Sequence, residues 1–247
     1  MDTVDEAGGC EIRTPRRDVL VSTITMLVGA AVVAFLTQYN MQPYPVWWTE
    51  RGAGGSSAFA IGRSWEEYLI VNVTGLLLVP MLAILAMPRE QPAAYGWARP
   101  DGRAAVVAVG LFGAMLPVLF VASRMEAFQR YYPMQPQAAT SWSYLLYFEL
   151  TYGLYMLTWE FFFRGFLTFG MSRGFGAPVA VIVQAVAFGV MHVGKPTPEI
   201  VGSFAAGLIL GVLALRGRSF MPCFALHWAC AATFDLMVIR ATPGGIF

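Results

Sequence analysis

His192 and His227 are the only histidines among the 247 residues, and each sits inside a long apolar stretch. A third such stretch carries Glu160 and Arg164, spaced so that acid and base share one helix face. An ionisable side chain at hydrocarbon depth is costly unless it is paired or used, so these four residues mark a functional centre inside a membrane. The set suits hydrolysis. One imidazole or carboxylate takes a proton from water while the other imidazole donates to the oxyanion that develops on the attacked carbonyl.

Three further acids belong to the candidate set. Glu149 precedes Glu160 by eleven residues, about three helical turns, and so lies on the same face. Glu199 follows His192 across a loop containing Gly194, Pro196 and Pro198, and a fold-back would set its carboxylate beside the imidazole. Asp235 lies two turns beyond His227. Structural roles are the alternative for some of these residues. Glu160 and Arg164 also read as a neutralised lock between helices, and Glu199 as a loop acid paired with Lys195. His192, His227 and one of Glu160, Glu199 or Asp235 would offer zinc three ligands and an open position. No H-E-x-x-H places two histidines on one turn, and nothing in the sequence requires a cofactor.

The elements that must position these groups follow from composition. Hydrophobic residues make up 57% of the chain and charged residues 13%, against about a quarter charged in soluble domains. The fold class expected is all-α, a polytopic membrane helix bundle. A net charge of +1 lacks the basic footprint that nucleic acid needs, so insertion into the lipid bilayer is hydrophobic, and the peptide partner is what the hydrolytic set expects. Seven runs approach the ~20 apolar residues a spanning helix requires: 19–39, 68–87, 104–123, 144–169, 177–192, 200–215 and 220–239. The 177–192 run is short, so it is expected to end inside the bundle and to bury His192 near a loop. Residues 1–18 form a mixed-charge tail, 19–240 a single transmembrane domain and 241–247 a C-terminal tail. The apolar segment after the tail is too long for a signal-peptide core and is expected to stay as an anchor.

Lys and Arg in alternate connections number nine (Arg13, Arg16, Arg17, Arg89, Arg99, Arg103, Arg173, Arg216, Arg218) against six (Arg51, Arg63, Arg124, Arg130, Lys195, Arg240). The positive-inside rule then expects a cytoplasmic N-terminus. Trp47, Trp48 and Trp65 flank a Gly/Ser-rich connector around 52–57 and are expected at the membrane interface. Pro80 and Pro117 are expected to kink their spans, and Gly207 and Gly211 form a G-x-x-x-G that lets two helices approach. Cys10, Cys223 and Cys230, odd in number, read as reduced thiols. No repeat relates two halves of the chain, which disfavours a transporter.

The ordered run Trp159-Glu160-x-x-x-Arg164-Gly165, Phe188-x-x-x-His192 and His227 resembles the CPBP family of intramembrane endopeptidases, the CAAX prenyl protease and bacteriocin-processing group. Its motifs are E-E-x-x-x-R, F-x-x-x-H and H-x-x-x-N or D, and the resemblance spans about 144–236. It implies Glu160 and His192 as water-activating residues, His227 as oxyanion stabiliser, Arg164 in support and a bacterial cytoplasmic membrane as location. The substrate implied is a prenylated C-terminus or a bacteriocin-like peptide. The family is often labelled a metalloprotease. Two positions depart from the pattern: Trp159 stands at the first glutamate and Ala231 at the Asn/Asp after His227. A scaffold or immunity protein that keeps the fold without catalysis is the alternative these departures imply.

Overall fold

In the absence of water every backbone N–H must find its carbonyl within the same segment, so long apolar runs resolve into helices. The computed structural model describes residues 15–40, 64–244 and 246, and no strand occurs among them. Helices α1 (Pro15–Asn40), α2 (Trp65–Ala86), α3 (Gly102–Ala122), α4 (142–175), α5 (Ala177–Val190), α6 (Thr197–Gly217) and α7 (Met221–Ala241) follow one another up and down. Five of them, α1, α2, α3, α6 and α7, are long and apolar enough to cross a membrane. The chain is thus a polytopic membrane bundle. Of the other two runs, α5 is short, as expected, and α4 is long but mixes tyrosines and acids among its apolar residues.

That mixture has a cause in position. Helix α4 is the centre of the bundle: α1 and α5 pack on its last turns, and α2 and α7 on its first half. Around 159–168 it is buried on all sides, so no face has to suit lipid. Helix α3 is the opposite case. Among the described residues it packs mainly on α6 and α7, and Val106, Val109, Val118 and Val121 are left for the lipid.

Small residues set the closest crossings. A Cβ on Gly207 would lie 2.8 Å from the Ala185 backbone, and one on Gly211 2.6 Å from Gln184 Nε2, so the G-x-x-x-G of α6 faces α5. The Gln184 amide donates to the Gly207 carbonyl at 2.7 Å across the same contact. Residues 161–167 of α4 form π-helical turns, in which Thr168 Oγ1 donates to the Phe163 carbonyl five residues back. Gly165 lies in this segment because a Cβ there would meet the Tyr95 carbonyl at 2.9 Å and the Phe161 ring at 2.8 Å. We expect Gly165→Ala to lower stability by about 1–3 kcal/mol, the usual cost of overpacking, read as a lower melting temperature in detergent.

The prolines behave differently from one another. Pro80 follows a π turn at Thr74–Leu78, in which the Val79 N–H donates to the Thr74 carbonyl five residues back, whereas α3 continues as helix through Pro117 at an exposed position. Trp65 is not an interfacial anchor: only 2% exposed, it packs on Phe148 and Tyr152 and donates to Thr151 Oγ1 at 2.8 Å. The start of α2 docks on α4, which carries the indole inward. Cys223 and Cys230 are free thiols. Trp47, Trp48, the 52–57 connector, Cys10 and most of the N-terminal tail lie outside the described residues.

Candidate active site

The centre of the site is the carboxylate of Glu160. Its Oε1 accepts from Arg164 Nη1 at 3.1 Å and from His227 Nδ1 at 2.6 Å. Glu160 and Arg164 are fully buried, while 23% of the His227 side chain is exposed. The i,i+4 spacing read from the sequence brings acid and arginine together even though Arg164 lies on the π turns. The guanidinium also sits 3.9 Å from the centre of the Phe188 ring, a cation–π contact, while its Nε and Nη2 have no hydrogen-bond partner among the described residues.

His192 stands in the turn after α5 and is 4% exposed, as the short span predicts. Its Nδ1 lies 2.7 Å from the Phe188 carbonyl, four residues earlier in its own segment. A carbonyl only accepts, so Nδ1 carries the hydrogen and Nε2 keeps the lone pair in the neutral ring. The Phe188 and Trp159 rings hold the imidazole at centroid distances of 4.4 and 5.8 Å. Phe188 also lies 6.0 Å from His227, so this one ring touches both imidazoles and the arginine.

His192 and His227 line one cavity of about 690 Å³, its open mouth included. Trp159 and Lys195 share its wall with Tyr68, Tyr131, Tyr152, Tyr155, Asn40 and Met134. Trp159 forms part of the wall and leaves the space open. Nε2 of each imidazole has no protein partner among the described residues. Groups 67 residues apart thus arrive together as a hydrogen-bonded acid and imidazole, with a second imidazole across the same space.

Glu199 is placed elsewhere than the fold-back suggested. It lies in the first turn of α6 and makes no hydrogen bond to His192. Its Oε1 accepts from Lys195 Nζ at 2.7 Å and from Tyr132 at 2.7 Å, because the helical i,i+4 spacing serves Lys195. Lys195 also donates to the Tyr132 hydroxyl at 3.0 Å. Glu149 and Asp235 face each other where α4 meets α7, and no N–H or hydroxyl donor reaches any of their four oxygens. They belong to the helix contact and not to the cavity wall. Sequence reasoning paired Lys195 with Glu199 but missed Tyr132, which no spacing in the sequence links to either.

The turn between α5 and α6 and the 123–141 connection lie outside the spanning helices. Burial opposes the Lys195 charge, but Glu199, Tyr131 and Asp235 together offset this and hold the ammonium above the usual lysine range. Burial and the same carboxylate push the Tyr132 phenol well above its ordinary value. Both groups keep their protons longer folded than unfolded, so their contribution is complete below the unfolded values and is lost as pH rises through the folded ones. Thermal stability should therefore show no step from these groups between roughly pH 6 and 9 and fall above about pH 10, with a smaller fall in a Lys195→Met/Glu199→Gln protein. Melting curves across that range check it.

A zinc set does not assemble. Among the described residues no three His, Cys, Asp or Glu side chains converge as metal ligands, and the shared oxygen of Glu160 is already engaged by a guanidinium. The proposed ligands His192, His227 and Glu160 therefore do not fit a resident ion here, and Glu199 and Asp235 point to other partners.

No curated protein and no solved structure matches the chain. Residues 141–233, from the cap of α4 to the middle of α7 and so including Glu160, Arg164, His192 and His227 but not Asp235, match the family described as Rce1-like, type II CAAX prenyl endopeptidase.

Proposed function

We propose that this integral membrane protein is an intramembrane endopeptidase that hydrolyses a peptide bond in a membrane-associated substrate. The observation that carries this reading is the joint placement of His192 and His227 on one open cavity, each ring anchored through Nδ1. His192, its lone pair on Nε2, takes a proton from water as the oxygen attacks the carbonyl. Glu160 orients His227 and balances the positive charge that ring carries when Nε2 holds a proton. That N–H donates to the oxyanion and then passes its proton to the leaving amine. Arg164 keeps Glu160 in place and so acts at one remove. Glu160 thus serves His227, with His192 oriented by a carbonyl instead of an acid.

The substrate reads as a prenylated or bacteriocin-like peptide in a bacterial cytoplasmic membrane. Among the described residues one end of the bundle carries eight arginines (Arg16, Arg17, Arg89, Arg99, Arg103, Arg173, Arg216, Arg218) and the other four basic groups (Arg124, Arg130, Lys195, Arg240). This supports a cytoplasmic N-terminus. The part of the cavity wall formed by Asn40, Tyr131, Met134 and Lys195 belongs to the opposite end. The test is cleavage of membrane-embedded peptides by the reconstituted chain and by His192→Gln, read by mass spectrometry. Product from the intact chain alone is expected, and equal product from both proteins would sink the reading.

A second reading, a scaffold or immunity protein without catalysis, is favoured by Trp159, which places an indole edge against His192 where the motif has an acid. A cellular phenotype retained by His192→Gln, with no cleavage by either protein, would select it.

A further inference from the structure

The geometry points to Lys195 as a recognition site for a carboxylate of the substrate, built into the wall of the catalytic cavity. This deepens the endopeptidase reading and rests on it for the identity of the ligand as a peptide. Lys195 lines the same space as His192 and His227, and 19% of its side chain is open. Its backbone N–H donates to the His192 carbonyl at 3.1 Å, which ties the start of the lysine to the imidazole's own turn.

The ammonium is held from two elements. Glu199 Oε1 at 2.7 Å and Tyr132 Oη at 3.0 Å take two of its three N–H donors. Tyr132 in turn donates to Glu199, so the phenol accepts from the lysine and the three groups close a ring. The third donor has no partner among the described residues. A lysine merely neutralised on a surface would not need this bracing, since long exposed side chains gain little from a fixed geometry. Here the rotamer freedom of the lysine is already spent before a ligand arrives, which is how a binding group gains affinity.

Charge selects the ligand. Glu199 cancels the formal charge of Lys195, and Asp235 also acts on the ammonium, so the site offers a ligand one charge-assisted N–H donor, which suits a single carboxylate and not the doubly charged phosphate ester that clusters of arginine bind. Apart from Thr37, Asn40 and the two imidazoles, the rest of the wall is phenolic and apolar, which leaves the carboxylate as the polar end of an otherwise apolar peptide segment. Such a group reaches the site either as a chain terminus or as an acidic side chain, and both present the same two oxygens.

The test uses the full chain in lipid nanodiscs, with His192→Gln introduced so that binding is read without turnover. N-blocked apolar hexapeptide libraries are offered as free acids, as C-terminal amides, and as amides with one internal glutamate, and retained peptides are quantified by mass spectrometry. Free acids should be retained about ten- to a hundredfold more than amides, as expected for one hydrogen bond to a charged group. The preference should vanish in a Lys195→Met/Glu199→Gln background, where the paired removal leaves no buried charge alone. Retention of the internal-glutamate amides at the free-acid level assigns the carboxylate to a side chain and supports the site. Equal retention of acids and amides, retention of neither, or a preference that survives the double substitution overturns it. Acid-selective binding with no cleavage by the intact chain sinks the endopeptidase reading while the carboxylate site stands.

Discussion

Replacing His192 by glutamine should cost about 10²- to 10⁴-fold in kcat, the range a positioned general base contributes, while leaving the fold intact. Glutamine matches imidazole in reach and can still donate to the Phe188 carbonyl, but its amide takes no proton. The Phe188 and Trp159 rings that flank the site remain to pack the shorter side chain. The measurement pairs peptide cleavage by reconstituted protein with a melting curve in detergent. A variant that melts like the intact chain and still turns over at a comparable rate would remove His192 from the chemistry. His227→Gln should fall by a similar factor for a different reason. It keeps a donor toward Glu160 but loses the proton that reaches the leaving amine.

Glu160→Gln should destabilise the bundle by about 3–5 kcal/mol, since it strands the Arg164 charge in a place without water. Both side chains are fully buried, and Nε and Nη2 of the arginine already lack partners, so nothing nearby takes over from the carboxylate. Arg164→Met should cost a similar amount by stranding the acid. Joined in Glu160→Gln/Arg164→Met, the two changes remove the pair together, and most of the stability should return, as when buried ion pairs give way to neutral groups. Activity should not return, because His227 has lost the carboxylate that orients it. Melting and cleavage measured on all three variants separate the two roles. Additive losses of stability would show that acid and arginine do not act as a pair, and restored cleavage would show that Glu160 is structural.

The acid and arginine could be paired from spacing because i and i+4 are neighbours on any helix, and the contact survives the π turns between them. The burial of His192 followed from a helix too short to span. Glu199 was harder. A loop rich in proline suggested a reversal toward His192, but the helix begins at Thr197, and Glu199 falls one turn from Lys195 on the near side. Trp65 was misjudged for a related reason, since an indole at the end of an apolar run suits an interface until a neighbouring helix covers it.

Run length and composition by themselves determined that the chain is a helical membrane bundle, because hydrocarbon forces each segment to satisfy its own backbone. The ordered motifs named the residues that could do chemistry. Which imidazole meets Glu160, and what orients the other, was decided only by the tertiary structure. The reason is geometric: α4 and α7 run antiparallel, and their depth against each other is set by the packing of α3, α5 and α6 around them. A contact between residues 67 apart has no local signature, since its register depends on side chains in helices that carry none of the catalytic groups.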